Sequence, residues 1–442
     1  MPRPVFVVIL AGGAGTRMKG PVPKVLQPLM GRPVIGHVVD AARALVPRGL
    51  VVVGGQNLPD LKAGLEGEED IVYVRQARPR GTADAVKKAL SVLPARGADV
   101  LILCGDVPLI RGTSLKRVLA AQRRKQPSLT VVTAEVADPT GLGRIVRDGR
   151  RRFQGIVEEK DATEDQRRIT EINSGIFVLP VGELRKLLPK IRADNAQKEY
   201  YLTDLVTLSS GPVQAWKLPD AGEAMGLNHR SELVAARRAL KERIIQEHTR
   251  RGVIFEDPDQ THLEVGVRIG SGTIIRPFCV IRRGVSIAAR CEVGPFAHLR
   301  GGTRLATGSR IGNFVEVKSS SIGPGSTAQH LAYLGDAILG VGVNVGAGTV
   351  IANYDGQKKH QTVVEDGAFL GSGTTLVAPV TVGRNARTGA GAVVPAGQDI
   401  PPGETVAGVP ARPLGEKDAA GQKKRRTVRT RRKGDGRPAS KK

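Results

Sequence analysis

The sequence is short of cysteine, of aromatic residues and of long apolar runs. Its three cysteines, Cys104, Cys279 and Cys291, are odd in number and sit at no metal-ligand spacing. That argues against a disulfide framework or a zinc ribbon and fits a reducing cytoplasm. Aromatic side chains make up only 3% of the residues, too few for an aromatic-rich core. No stretch approaches the roughly 18 apolar residues of a transmembrane helix, so no membrane insertion is expected. The apolar run at residues 5–11 is short and passes into a glycine-rich loop without a small-residue cleavage pattern; it reads as a strand, not a secretory signal.

What is present in excess is glycine and positive charge. The 55 glycines among 442 residues exceed the usual share of about 7%, which suits a tight, regularly turning backbone. A chain of this length predicts two or three domains. The 67 Lys and Arg against 42 Asp and Glu leave a net charge of +25, which taken alone suggests nucleic acid, an anionic membrane or phosphorylated small molecules as partners. Residues 415–442 (GEKDAAGQKKRRTVRTRRKGDGRPASKK) carry +9 of that charge and almost no apolar side chains. They are expected to form a disordered basic tail, capable of non-specific anionic contacts.

The first half alternates short apolar runs (VFVVIL, GLVVVGG, DVLILCGD) with helical patterns at residues 34–45 and 84–93, as in an α/β domain with a mostly parallel sheet. HRSELVAARRALKERIIQEHTRRG then reads as a connecting helix ended by Gly252. Beyond it, aliphatic residues recur every six positions from Leu263 through Ile269, Ile275 and Ile281 to Val317, and a small or β-branched residue stands four positions after each. The register resumes at Leu339 and again at Val364. A six-residue period with adjacent glycines predicts a β-helix whose triangular coils use three repeats each. It places Cys279 and Cys291 inward, as packing residues, and it makes a homotrimer of such prisms the expected assembly.

The residues that carry chemistry lie where these patterns break. LAGGAGTRMKGPVPK, residues 10–24, is a glycine-rich turn after a strand with Arg17 and Lys24 following, but it is neither a P-loop nor a dinucleotide fingerprint. Glycine amides with two cations suit a nucleoside triphosphate. Asp106, in CGDVPL, falls at the carboxyl edge of a strand, where open α/β sheets bind ligands, and a carboxylate beside a phosphate loop suits Mg2+. In the β-helix, His330 lies where the six-residue count slips, between Ile322 and Leu339, and imidazole near neutral pH suits a general base.

LAGGAGTRM with PVPKVL, QARPRGTADA, CGDVPL, DPTGLGRI, GIVEEKDAT, EINSGIF, NAQKEYYLTD and GLNHRSE, followed by NFVEVK, HLAYLGD and NVGAGTVIANYDG in the repeat, resemble the bifunctional N-acetylglucosamine-1-phosphate uridyltransferases/glucosamine-1-phosphate acetyltransferases over most of the chain. The resemblance implies a Rossmann-like α/β nucleotidyltransferase domain over 1–228, a linker helix over 229–252, and a left-handed parallel β-helix acetyltransferase domain over 253–414, before the tail at 415–442. It implies acetyl transfer from acetyl-CoA to glucosamine 1-phosphate, then Mg2+-dependent uridylyl transfer from UTP to N-acetylglucosamine 1-phosphate, in the cytoplasm. Residue by residue, it puts Leu10, Ala11, Gly12, Gly13, Gln76, Gly81 and Thr82 around the nucleotide with Cys104 and Gly105 beside them, and gives Arg17 and Lys24 the triphosphate charge. Gly143, Glu158 and Asn173 would hold the sugar, and Asp106 and Asn228 the Mg2+. In the second domain His330 would be the base. Arg300, Lys318 and Lys359 would bind the sugar phosphate, Tyr333 and Asn344 the sugar, and Ala347, Asn353, Tyr354, Ser372 and Ala390 acetyl-CoA.

Two positions depart from the family pattern: Cys104 replaces a common tyrosine, and Gly408 stands where an arginine often meets the CoA phosphates. Two other readings compete. One is a monofunctional sugar-1-phosphate nucleotidyltransferase with a purely structural β-helix, the other a nucleic-acid or anionic-surface binder acting through the tail.

Overall fold

The computed structural model describes residues 3–13, 18 and 20–414; the proposed tail at 415–442 and Arg17 lie outside them. The chain divides into two compact units, one of Met1–Val253 with His262–Val267 and Ile281–Gly284, the other of the remaining residues from Ile254 on.

The first unit is built on a nine-stranded sheet. Its strands are β1 (Val5–Leu10), β2 (Gly49–Gly54), β3 (Ile71–Arg75), β4 (Asp99–Cys104), β5 (Leu129–Glu135), β6 (Arg144–Arg147), β7 (Phe153–Val157), β8 (Glu171–Pro180) and β9 (Val213–Lys217). The order is β9-β5-β8-β4-β1-β2-β3, with the β6-β7 hairpin paired to β8. β1 is parallel to both neighbours, and β8 alone among the main strands runs antiparallel to those beside it. Val7, Val8 and Ile9 have no exposed surface, as expected of a central strand covered on both faces. Helices α1 (Val34–Arg43) and α3 (Gly112–Lys125) pack Val38, Val39, Leu115 and Val118 on one face, and α2 (Thr82–Ala89) packs Ala83, Val86 and Ala89 on the other. Leu10 pairs with Cys104, so the loops after β1 and β4 leave the same sheet edge together.

The connecting helix α4 (Arg230–Arg250) belongs to the first unit, as do Met30 and Val265, whose backbones are bonded. Its buried residues are Ala236, Ile245 and His248, few for its length, in line with its mostly charged sequence.

The second unit is the β-helix. Three sheets of short strands carry its coils, nearly all paired in parallel, for example Ile275 with Val293 and Val293 with Ile311. The periodic aliphatic residues point inward, and Cys279 and Cys291 are wholly buried among them. Inward hydroxyls satisfy themselves on coil carbonyls: Thr273 Oγ1 donates to the Ala288 oxygen at 2.8 Å and Thr303 Oγ1 to that of Val317 at 3.0 Å.

The slip expected in the six-residue count around His330 is present. The period continues through Ala328 and Leu334, both buried, and what changes is its length. Ile311 pairs with Ala328 and Ile322 with Leu339, so these coils are one residue short of eighteen. The sequence hid this because Ala328 is too small to register as a repeat corner.

One local feature opposes stability. Val46 follows α1 with φ +52°, in the left-handed region that a β-branched residue avoids, and it is 87% exposed. Val46→Gly removes that strain while keeping the bond from its N–H to the Arg43 oxygen at 2.9 Å. The expected gain is about 1 kcal/mol, read in thermal melts as a rise of about 2–4 °C in the transition of the first unit.

Candidate active sites

In the first unit the glycine loop and the carboxyl edge of β4 enclose a cavity of about 530 Å3. It is lined by Leu10, Ala11, Gly12 and Gly13, by Gln76, Gly81 and Thr82, and by Lys24, Cys104, Asp106 and Asn228. All of these were expected around the nucleotide. Val25, Pro79, Ala85 and Glu199 also line it. None of these four was expected; of them Glu199, inside the EYYLTD motif, has a carboxylate suited to accept bonds from hydroxyl groups. Gly105 does not line the cavity. Its N–H donates to the Leu10 oxygen at 2.8 Å, tying the two loops together.

Three side chains converge at the cavity floor. The Lys24 ammonium contacts Asp106 and donates to Asn228 Oδ1 at 3.2 Å. Asn228 is held there from two directions. The neighbouring Leu227 N–H donates to the Asp106 oxygen at 2.9 Å, and Glu232, in the first turn of α4, accepts from the N–H groups of Asn228 and His229. Two hard oxygens thus meet at a point already holding a cation, and few protein oxygens plus substrate phosphates is the donor set Mg2+ favours. Burial, with Asp106 beside it, pushes the Cys104 thiol up to about 12. It stays a neutral thiol, bonded to the Gly175 oxygen at 3.7 Å.

The residues expected to hold the sugar form a neighbouring group just after β7, on β8 and in the turn before β6. The Asn173 N–H donates to the Gly143 oxygen at 2.9 Å, and a side chain at Gly143 would press within 3.3 Å of Glu158 Oε2. Thr203 Oγ1 donates to Glu158 Oε1 at 3.1 Å. The segment of Thr203 also joins this group to the nucleotide cavity, because Thr82 Oγ1 accepts from the Leu202 N–H at 3.0 Å and the Tyr200 oxygen from the Ala83 N–H at 2.9 Å. Gly81 permits that approach. Its φ is +110°, and a Cβ there would lie 2.5 Å from the Tyr200 oxygen.

In the second unit one corner of the β-helix carries most of the expected acetyl-transfer residues. His330, Ala347 and Ser372 stand one above another, their carbonyls accepting from the N–H groups of Gly348 at 3.4 Å, Gly373 at 2.7 Å and Gly391 at 2.7 Å. Ala390 continues the row beside Gly391. The next position along each coil adopts positive φ throughout; it is filled by Phe278, Phe296, Phe314 and Leu331 up to His330, then by glycines 348, 373 and 391. Phe278 stacks on Phe296 and Phe296 on Phe314, with centroids 4.7 and 5.1 Å apart. The corner is therefore a hydrophobic ridge on one side of His330 and a bare track beside Ala347, Ser372 and Ala390 on the other, a shape that accepts an extended ligand.

The adjoining face is cationic. The Lys318 ammonium is held below its ordinary value by Lys359 beside it, with Arg300 adding to the effect. Arg300 is oriented by Glu316 at 2.8 Å. Like charges gathered in this way favour a bound dianion. Tyr333 Oη and Asn353 Nδ2 both pass over Gly335, each within 2.8 Å of where its Cβ would be, and Asn353 is anchored on Asp336. Asn344 Oδ1 accepts from Thr327 at 3.3 Å. Tyr354 is exposed in a loop closed by its bridge to Lys359. Among the described residues no helix is long and apolar enough to cross a membrane.

Two expectations follow from the first unit. Gly81→Ala drives the Tyr200 segment off α2, so uridylyl transfer falls about 100-fold while acetyl transfer in the same preparation is unchanged. Glu158 is a pH-sensitive group at this site. Burial raises its carboxyl above the usual range, helped by Asp161 and Asp204. A raised carboxyl contributes stability that is complete below its unfolded pKa and is lost as pH rises through the folded value. Glu158→Gln, which keeps the Oε1 acceptor, is therefore expected to melt above the parent at neutral pH and level with it near pH ~4.

Comparison with known proteins agrees with both units. Residues 7–181 match the MobA-like NTP transferase domain, and residues 266–301 match the bacterial transferase hexapeptide (six repeats). The chain is 42% identical to the bifunctional protein GlmU of Alkalilimnicola ehrlichii over 89% of its own length and 92% of the relative's. It is 40% identical to that of Rubrobacter xylanophilus over 96% and 97%, and 42% identical to that of Thermobifida fusca over 91% of each.

Proposed function

The chain belongs to the family of bifunctional GlmU proteins, a uridyltransferase and acetyltransferase in one polypeptide, and from that premise we propose how its residues divide the two reactions. The observation that carries the proposal is that each unit holds a polar group of its own: Lys24, Asp106 and Asn228 in contact in the first, and in the second the cations Lys318, Lys359 and Arg300 on the face adjoining the corner that carries His330.

In the first site the phosphate oxygen of N-acetylglucosamine 1-phosphate attacks the α-phosphorus of UTP and pyrophosphate leaves. Asp106 and Asn228 would hold Mg2+, which when bound supplies positive charge to the phosphates. Lys24 exchanges Asp106 for phosphate oxygen as charge builds, aided by Arg17, and the glycine loop lets the backbone approach the nucleotide closely. Gln76 faces the base; its Nε2 already donates to the Gly81 oxygen at 3.1 Å and to Asp84 at 2.9 Å, so its Oε1 is left to accept. Gly143, Glu158 and Asn173 receive the sugar.

In the second site the phosphate of glucosamine 1-phosphate docks on Lys318, Lys359 and Arg300, with Tyr333 and Asn344 on the sugar. His330 takes a proton from the amine as its nitrogen attacks the thioester carbon of acetyl-CoA; the C–S bond breaks, and the proton passes to the departing thiolate. The pantetheine arm lies in the bare track beside Ala347, Ser372 and Ala390, and Asn353 and Tyr354 contact it. The aromatic ridge is an apolar surface of the kind that copies of the chain bury on assembly, which supports a homotrimer. The three cysteines are free, in keeping with a reducing cytoplasm.

The test is reconstitution. Glucosamine 1-phosphate, acetyl-CoA, UTP and Mg2+ together are expected to give UDP-N-acetylglucosamine, and omission of any one to abolish it. Lys24→Ala should reduce uridylyl transfer at least 100-fold and leave CoA thiol release intact, and His330→Ala should do the converse. Loss of both activities in one folded variant would contradict two separate sites.

A further inference from the structure

The proposed base lies on an exposed corner, where a free imidazole exchanges freely between its two neutral tautomers. Only one of them leaves the nitrogen facing the ligand unprotonated. His330 Nδ1 lies 2.9 Å from Asn313 Oδ1. The contact is built by the backbone. Asn313 ends the strand Arg310–Asn313 and His330 ends the strand Thr327–His330, and the two residues are register partners in a parallel ladder. Most strands of the β-helix are two residues long; these two extend to four and carry the pairing as far as the side chains concerned. Gly312 makes this possible, since a Cβ there would lie 2.0 Å from the Gln329 oxygen. The Leu331 N–H then donates to the Asn313 oxygen at 3.0 Å, closing the pair on the far side of the corner.

We propose that Asn313 is a positioning residue for acetyl transfer: its amide oxygen accepts the Nδ1 proton of His330, fixing the ring's orientation and the tautomer in which Nε2 is free to take the proton of the attacking amine. An amide is neutral, so it selects the tautomer without the bias toward imidazolium that a carboxylate partner exerts. Asn313 sits on the Nδ1 side of the ring and acts through His330, so the inference rests on the reading of His330 as the base. It also accounts for the shortened coils. Asn313 and His330 are seventeen residues apart and still in register, which places a second polar residue directly below the imidazole.

The experiment compares Asn313→Leu, similar in volume but without an acceptor, with Asn313→Asp, which keeps one. It measures kcat and KM for acetyl transfer at pH ~8.5, where a neighbouring carboxylate no longer keeps imidazole protonated. Uridylyl transfer and the melting temperature serve as controls for fold. Asn313→Leu is expected to lose about 10- to 100-fold in kcat with KM for glucosamine 1-phosphate within about twofold, and Asn313→Asp to recover to within about fivefold of the parent. Full activity in Asn313→Leu, or equal loss in both variants, overturns the proposal. His330→Ala in the same assay separates the two claims: if it still transfers acetyl groups, the reading of His330 as the base fails, whatever the Asn313 variants do.

Discussion

Each coil of a β-helix must pass its backbone hydrogen bonds to the coil above, and it can do so only if consecutive coils keep their corners aligned. The second unit depends on this constraint. Inward positions are restricted to small and aliphatic side chains, and the residues after the corners take positive φ. Any change in coil length must be absorbed without unpairing the ladder. The chain shortens two consecutive coils by one residue and lengthens a later one by the loop that carries Asn353, Tyr354 and Lys359. Ile311, Ala328 and Val345 remain stacked through these changes. What they alter is the outer surface, where His330 meets Asn313 on one face and Lys318 meets Lys359 on the next. The polar site is thus a consequence of how an apolar interior tolerates a missing residue.

The same logic explains why part of the molecule could be read from its sequence and part could not. The hexapeptide period is a local signal repeated many times, so the β-helix and the inward fate of Cys279 and Cys291 were legible. The glycine loop and Asp106 were legible because each ends a strand recognisable by itself. Glu199 was not, because only the docking of the Tyr200 segment on α2 brings it to the nucleotide cavity. Glu232 shows the same limit: its role in holding the Asn228 backbone depends on α4 starting where it does. Asn313 stood in plain view within NFVEVK, yet its partner is one coil away, and the shortened coils concealed the register that joins them. Val46 is a different case, since neither its sequence context nor its environment accounts for a β-branched residue in left-handed backbone.

The charge excess acquires a physical meaning once it is located. Along the described chain, cations at the two sites stand in different states. Lys24 is neutralised in place by Asp106, so substrate binding there is an exchange of partners, and the carboxylate is released for a divalent ion. Lys318 and Lys359 repel each other, so a bound phosphate relieves an existing strain. The first arrangement keeps a triphosphate site from holding anions indiscriminately. The second gives a shallow, exposed face enough affinity for a small sugar phosphate without a deep pocket.

The residue types at the two sites follow from the ionisation of the reactants. A phosphate monoester is already an anion at neutral pH, so the attacking oxygen needs no base. The lining of the first cavity accordingly contains no histidine among the described residues, and its one thiol is held neutral. The problem there is to gather negative charge, which backbone amides and a lysine address. An amine attacking a thioester must lose a proton, so the second site requires a base whose free nitrogen is defined before the substrate arrives. A side chain on a flexible loop would leave that choice to solvent. A histidine at the end of a parallel ladder, with an amide oxygen one coil below, has the choice made by the backbone register itself.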